Sequence, residues 1–235
     1  MTVQSPEFLR PAPGARREWI KLPASVEPHF ARLDDAARAA LQPVLWDDVV
    51  SEYDARFFSA HLRTLDWPLS ERFWEVEAEW ARDEERHFTQ FARVTERLFP
   101  FDRAVLEKRC PDFGPLEELF GDEFAILCLG AYDELVTVQA YRKNLVYYDS
   151  LGLEMGRYAR SVIADEAWHY ARFLEILRSQ HAQEMARAPE VVARIRRCEG
   201  ISYAATFVLD HDDRVFTKEM YDGAVRVLLA QLGRA

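Results

Sequence analysis

A chain of 235 residues fits one domain with extensions better than two full domains. Its net charge of −10 argues against nucleic acid as the main partner, because phosphate backbones bind basic surfaces; the run Arg194, Arg196, Arg197 reads as a solvated helix face. No apolar stretch approaches the ~20 residues that span a bilayer. The three cysteines, Cys110, Cys128 and Cys198, form no Cys-x-x-Cys pair and suit a reducing compartment, so the expectation is a cytoplasmic protein bound to neither membrane nor nucleic acid.

Residues 1–30 read as an N-terminal arm, in which Pro11, Pro13, Arg16, Arg17 and Pro23 break any apolar run, unlike a secretory signal. From Ala31 onward helical periodicity dominates, and residues 31–235 are taken as one helical domain. A short helix is expected to end near Pro43. A long one follows from about Val44 to Leu65, with Leu45, Val49, Tyr53 and Phe57 as its apolar stripe. Asp66-Trp67-Pro68-Leu69-Ser70 interrupts it, with Ser70 as an N-cap. The next helix, about Glu71 to Phe99, is roughly 45 Å long at ~1.5 Å per residue and is stopped by Pro100. A stretch with Pro111, Gly114 and Pro115 leads to a third long helix, about Asp122 to Tyr148. Gly152 and Gly156 mark a turn before a fourth, about Leu153 to His181. A shorter helix (Glu190 to Cys198), an extended segment (Ile201 to Leu209) and a last helix (Lys218 to Leu232) complete the chain. The fold class expected is all-α: a four-helix bundle with additional short helices at both ends.

Two segments read alike, Asp83-Glu84-Glu85-Arg86-His87 and Asp165-Glu166-Ala167-Trp168-His169. Glu-x-x-His sets both side chains on one helix face, since residues three apart are surface neighbours; together they can bind one metal. Glu52 lies 32 residues before Glu84, and Glu134 lies 32 before Glu166, so an offset of 82 maps Glu52, Glu84 and His87 onto Glu134, Glu166 and His169. One Glu from each of two helices, plus Glu-x-x-His from each of two others, is the ligand set of ferritin-like di-iron carboxylate proteins. Glu84, Glu134 and Glu166 have apolar neighbours one and two turns away, which turns them inward. The phase of Glu52 is less clean, because Arg56 follows one turn later. Glu77, two turns before Glu84, reads as a surface residue or a support for the ligands. Four inward carboxylates would repel one another without cations between them. Asp83 and Asp165 are expected to accept the outer ring N–H of the opposite helix's histidine. Carboxylate and imidazole donors without thiolate suit iron or manganese better than zinc. His29, His61, His181 and His211 lack such a context.

At these residues the chain resembles the soluble acyl-carrier-protein desaturases of the ferritin-like di-iron superfamily. Residues 80–87, Trp-Ala-Arg-Asp-Glu-Glu-Arg-His, resemble that family's Trp-Thr-Ala-Glu-Glu-Asn-Arg-His. Residues 162–169, Val-Ile-Ala-Asp-Glu-Ala-Trp-His, resemble its Ile-Ala-Ala-Asp-Glu-Lys-Arg-His. Ser51-Glu52 stands where the family has Thr-Glu, Glu134-Leu135-Val136-Thr137 resembles Glu-Arg-Ala-Thr, and residues 215–221 resemble Val-Tyr-Thr-Ala-Lys-Asp-Tyr. The likeness runs from about residue 44 to 232. Trp168 replaces a basic residue, and the chain is shorter than the plant members. The resemblance implies two iron ions (manganese as the alternative), O2 as co-substrate, an electron donor such as ferredoxin, a homodimer, and a small-molecule or acyl-chain substrate, whether free or carrier-protein-bound. It also implies a proton-delivering role for Thr137. The expected reaction is hydrogen abstraction from an unactivated C–H bond, with fatty acyl desaturation first. Hydroxylation, N-oxygenation or C–C cleavage of a smaller substrate comes next, and ferroxidase or peroxide scavenging is the rival of another class. Gly130, Ala131, Thr137 and Val138 are small or moderate, so an apolar tunnel is expected to reach the metals along the third long helix.

Overall fold

The computed structural model describes residues 22, 25–203, 208–209 and 215–233. Most of the 1–30 arm, His211 and much of the 201–209 segment therefore lie outside the described residues, and the parts of that segment that are described form no strand. The described chain is all-helical. Its frame is four helices of 28 residues each: α2 (Asp35–Leu62), α3 (Glu71–Leu98), α5 (Glu123–Ser150) and α6 (Leu153–Gln180). Short helices α1 (Glu27–Phe30) and α4 (Arg103–Glu107), with 3-10 turns at Gly114–Leu119 and Ala182–Arg187, fill the connections. Helices α7 (Ala188–Cys198) and α8 (Lys218–Leu232) pack against α5. Among the described residues, no helix is long and apolar enough to cross a membrane.

Local chemistry starts these helices where side-chain acceptors stand. Asp34 accepts from Ala37 N (2.8 Å), Ser70 from Phe73 N (3.1 Å) and Asp122 from Ala125 N (2.9 Å), each satisfying an amide that the first turn leaves open. At the α5–α6 turn Gly152 has φ 102°, and a Cβ there would lie 2.7 Å from His29 Nε2, so both backbone and space require glycine. Gly156, in contrast, falls inside α6.

One boundary departs from the sequence expectation: α2 runs through Pro43 without a break. An interior proline costs ~3 kcal/mol through a lost hydrogen bond and a clash with the preceding turn. Leu41, Val44 and Leu45 are almost wholly buried around it, and each buried side chain of that size returns about 1.5–3 kcal/mol. Tertiary burial therefore outweighs the local break.

Helices α2 and α3 form one hairpin and α5 and α6 the other. The hairpins meet along α3 against α6 and along α2 against α5. This arrangement points both Glu-x-x-His helices at each other and brings the two lone-Glu helices alongside. Just beyond the carboxylates an aromatic layer closes the core, with Phe91 stacked on Tyr141 (5.8 Å) and edge-on to Tyr158 (5.6 Å).

Candidate metal centre

All six expected ligand residues are buried, with Glu52, Glu84, Glu134 and Glu166 at 2–6% exposure and His87 and His169 at 0–2%. They converge. Ligand atoms of Glu84, Glu134, Glu166 and His169 lie within 4.8 Å of one another, as do those of Glu52, His87 and Glu166. Either group can hold a metal ion. Glu84 and Glu166 are equivalent in the repeat, yet only Glu166 belongs to both groups.

Both imidazoles turn Nδ1 inward. His87 Nδ1 is 3.2 Å from Glu166 Oε1 and 3.5 Å from Glu52 Oε2. His169 Nδ1 is 3.0 Å from Glu166 Oε2, 3.4 Å from Glu84 Oε1 and 3.5 Å from Glu134 Oε1. Both turn Nε2 outward to the aspartate of the opposite helix: His87 to Asp165 (3.4 Å) and His169 to Asp83 (3.3 Å). An N–H donated outward leaves the inward nitrogen its lone pair.

Three supporting contacts were not visible in the sequence pattern. Arg86 donates to Asp83 (3.0 Å) and to Asp165 (2.9 Å), so one guanidinium ties both aspartates. In the repeat its counterpart is Trp168, which carries no charge, and one cation serves both halves. Trp80 Nε1 donates to Glu134 Oε1 (2.9 Å), and the Tyr141 hydroxyl donates to Glu52 Oε1. The apolar-looking positions Trp80 and Tyr141 thus have polar ends, a dual character that periodicity counts only as hydrophobic.

The electrostatics are those of crowded anions. Burial first, then the charges of Glu166 and Glu52, hold the Glu84 carboxyl well above the ordinary range. Burial also raises Glu134, against the pull of His169. Burial alone would depress the imidazoles, but Glu52 and Glu166 around His87, and Glu134 with Asp83 around His169, hold both well above the usual value. Burial would raise Glu166 as well, yet His87 and His169 pull it well below. Among the described residues, buried Glu52 Oε2, Glu84 Oε1, His87 Nδ1 and Glu166 Oε1 have no hydrogen-bond partner. Buried polar atoms are rarely left unpaired, and four in one cluster fit a coordinating cation.

A cavity of about 200 Å³ opens between α2 and α5 with Glu52, Glu84, Glu134 and Glu166 on its wall. Trp46, Val50, Ala140 and Phe216 give it apolar surface, and Asp47, Asp48, Asp133, Asn144 and Arg109 give it polar surface. Thr137 lines it too, half-buried. Unlike Thr95, whose hydroxyl bonds Phe91 O at 2.9 Å, Thr137 directs no bond into its own helix.

The cavity does not follow the tunnel expected along Gly130. A Cβ on Gly130 would stand 3.0 Å from Phe173 Cε2, so this glycine serves close packing of α5 on α6, and neither Gly130 nor Ala131 nor Val138 lines the cavity. Glu77 is buried at 2% exposure, held by Ser59 (2.6 Å) and Arg63 (3.1 Å). His61 stacks on Phe113 (4.5 Å), and His181 bonds Glu123 (3.1 Å) and Glu184 (2.7 Å). Both stand apart from the cluster. No family model, curated protein or solved structure matches this chain.

Proposed function

We propose that this protein is a non-haem di-iron, O2-dependent oxidoreductase, related to the acyl-carrier-protein desaturases by its motifs, that removes hydrogen from an unactivated C–H bond. The observation that carries this reading is one juxtaposition: six buried carboxylate and imidazole residues, four of them with an unpartnered atom, whose four glutamates stand on the wall of a cavity with apolar surface. Glu52, His87 and Glu166 would hold one ion, and Glu84, Glu134, Glu166 and His169 the other. Thiolate-free, carboxylate-rich donors favour iron or manganese. When bound, two irons supply what side chains lack, namely reduction of O2 with electrons from a ferredoxin-type donor and abstraction of hydrogen from carbon.

The chain's own residues do the rest. Asp83 and Asp165 accept the outer N–H of each histidine, which sets the tautomer that presents Nδ1 inward, and Arg86 holds the two aspartates. Trp80 and Tyr141 donate to Glu134 and Glu52, leaving each glutamate a second oxygen for the metal. Thr137 presents a hydroxyl at the cavity wall, where it can pass a proton to the site. Trp46, Val50, Ala140 and Phe216 give the substrate's carbon an apolar surface to lie against.

The cavity also bears on substrate size. Its volume of about 200 Å³ is below the roughly 300–1,000 Å³ of usual ligand pockets, and its lining is mixed rather than wholly apolar. This supports a compact substrate with a polar group. Fatty acyl desaturation stands second, supported by Val215 and Phe216 of the desaturase-like C-terminal segment on the same wall. The cavity disfavours iron storage, which needs no room for an organic molecule. The test is anaerobic Fe(II) loading followed by O2 uptake with panels of compact and long-chain substrates. About two irons per chain are expected, with O2 uptake that depends on an organic substrate. One zinc or no metal would refute the di-iron reading, and uptake indifferent to every organic compound would move the protein to the ferroxidases.

A further inference from the structure

A second cavity, of about 230 Å³, lies between α2 and α3 and reaches the same ligands from another side. Its inner wall holds Glu52 and Glu84. Ser59, Glu77 and Arg63 line it toward the α2–α3 turn, and exposed Arg56 and Glu85 stand at its mouth. The apolar side chains on it are only Ala55 and Ala81. The α2/α5 cavity differs, with Trp46, Val50 and Phe216 on its walls. Residues 52, 55, 56 and 59 of α2, continued by Arg63 just past its end, form one stripe, and 77, 81, 84 and 85 the facing stripe of α3, as helical spacing requires. The arginine that spoils the apolar phase of Glu52 is thus part of a polar seam.

We propose that this seam is the entry port through which divalent metal ions reach the cluster. The inference rests on the reading that the six buried residues hold metal. An ion shedding its water needs oxygen ligands along its way, since an unpaired charge beside apolar walls is costly. The seam offers them. Glu85 at the mouth is salt-bridged to Arg56 (3.0 Å), and Arg56 also lies over the Tyr53 ring (3.9 Å), which holds it to one side. Glu77 accepts from Ser59 and from both arms of Arg63. At the inner end Glu52 Oε2 and Glu84 Oε1 are buried without a hydrogen-bond partner, ready for a cation. Four carboxyl groups against two guanidinium groups leave the seam rich in oxygen donors for an entering cation. Ala55 and Ala81 leave the gap between the helices open.

The test is the rate of Co(II) uptake by metal-free protein, followed by its visible absorption in stopped flow, with final stoichiometry read at equilibrium. Ala81→Leu plugs the seam, and Ala140→Leu fills the α2/α5 cavity instead. Ala81→Leu is expected to slow uptake at least tenfold with unchanged stoichiometry, and Ala140→Leu to leave the rate as it was. Glu85→Lys, on the exposed surface, is expected to slow uptake at low salt and to recover as salt screens the added charge. Wild-type rates in both Ala81→Leu and Glu85→Lys, or slowing by Ala140→Leu alone, would overturn the port while leaving the metal centre standing. A wild-type chain that takes up no Co(II) would instead overturn the metal centre itself.

Discussion

Metal should stabilise this protein strongly, and the layout of the cluster says how the gain divides between two ions. An ion that binds only the folded state adds RT ln(1 + [L]/Kd), about 2.7 kcal/mol at a hundredfold excess over Kd. Two groups of ligands converge here, so two ions together add about 5.4 kcal/mol under that condition. For a chain of 150–250 residues each kcal/mol moves Tm by about 2–4 °C, so anaerobic Fe(II) or Mn(II) should raise Tm by about 11–22 °C. The sharing of Glu166 refines the expectation. Glu52→Ala removes a ligand from one group and should cost about half of that increment. Glu166→Ala removes a ligand from both and should abolish most of it. Differential scanning calorimetry in the presence and absence of metal reads both. A rise below about 3 °C in the wild type, or equal residual increments in the two variants, would refute the argument.

Other perturbations follow from the same geometry. His87, His169, Glu84 and Glu134 all titrate above their ordinary values, so the folded state holds more protons than the unfolded one. The stability that the histidines lend is full below about pH 6.5 and is lost as pH rises through their folded values, while each raised glutamate is an added cost once pH exceeds its unfolded value of about 4.3. Metal-free Tm should therefore fall from pH 6 to pH 9, with the metal-loaded protein less affected; a metal-free Tm that rises with pH would contradict the sign. Arg86→Gln releases Asp83 and Asp165 together, and competition against a chromophoric chelator should show metal affinity lowered about 10–100-fold. Arg86→Lys should rescue little, because an ammonium lacks the fork that reaches both carboxylates; unchanged affinity in Arg86→Gln would remove its role. Gly130→Ala would gain ~1 kcal/mol of helix propensity but press on the buried Phe173 ring at 3.0–3.3 Å, an overpacking cost of about 1–3 kcal/mol. Tm should fall with metal content unchanged, and a higher Tm would show that Phe173 yields freely.

Much of this molecule was legible before any coordinates. The four long helices follow from 3.6-residue periodicity and from Ser70 as a cap, which are local properties. The offset of 82 residues singled out Glu52, Glu84, His87, Glu134, Glu166 and His169, and the structure gathers all six. Pro43 misled because a breaker's local cost says nothing of the burial of Leu41, Val44 and Leu45 around it.

The sequence by itself determined what each helix presents along its inner face, because spacing on a helix translates directly into direction. Only the tertiary structure decided what meets what between helices far apart in the chain. It made Arg86 common to Asp83 and Asp165, set Trp80 on Glu134 and Tyr141 on Glu52, and made Glu166 the residue common to both groups. It also decided where space remains. Gly130 looked like room beside the metals, yet Phe173 fills that room from a helix whose rotation no single-helix pattern records. The cavities opened instead at α2 against α5 and α2 against α3. Side-chain identity fixes how much volume each helix carries, but where that volume falls short depends on how the helices pack together, and that is a property of the bundle as a whole.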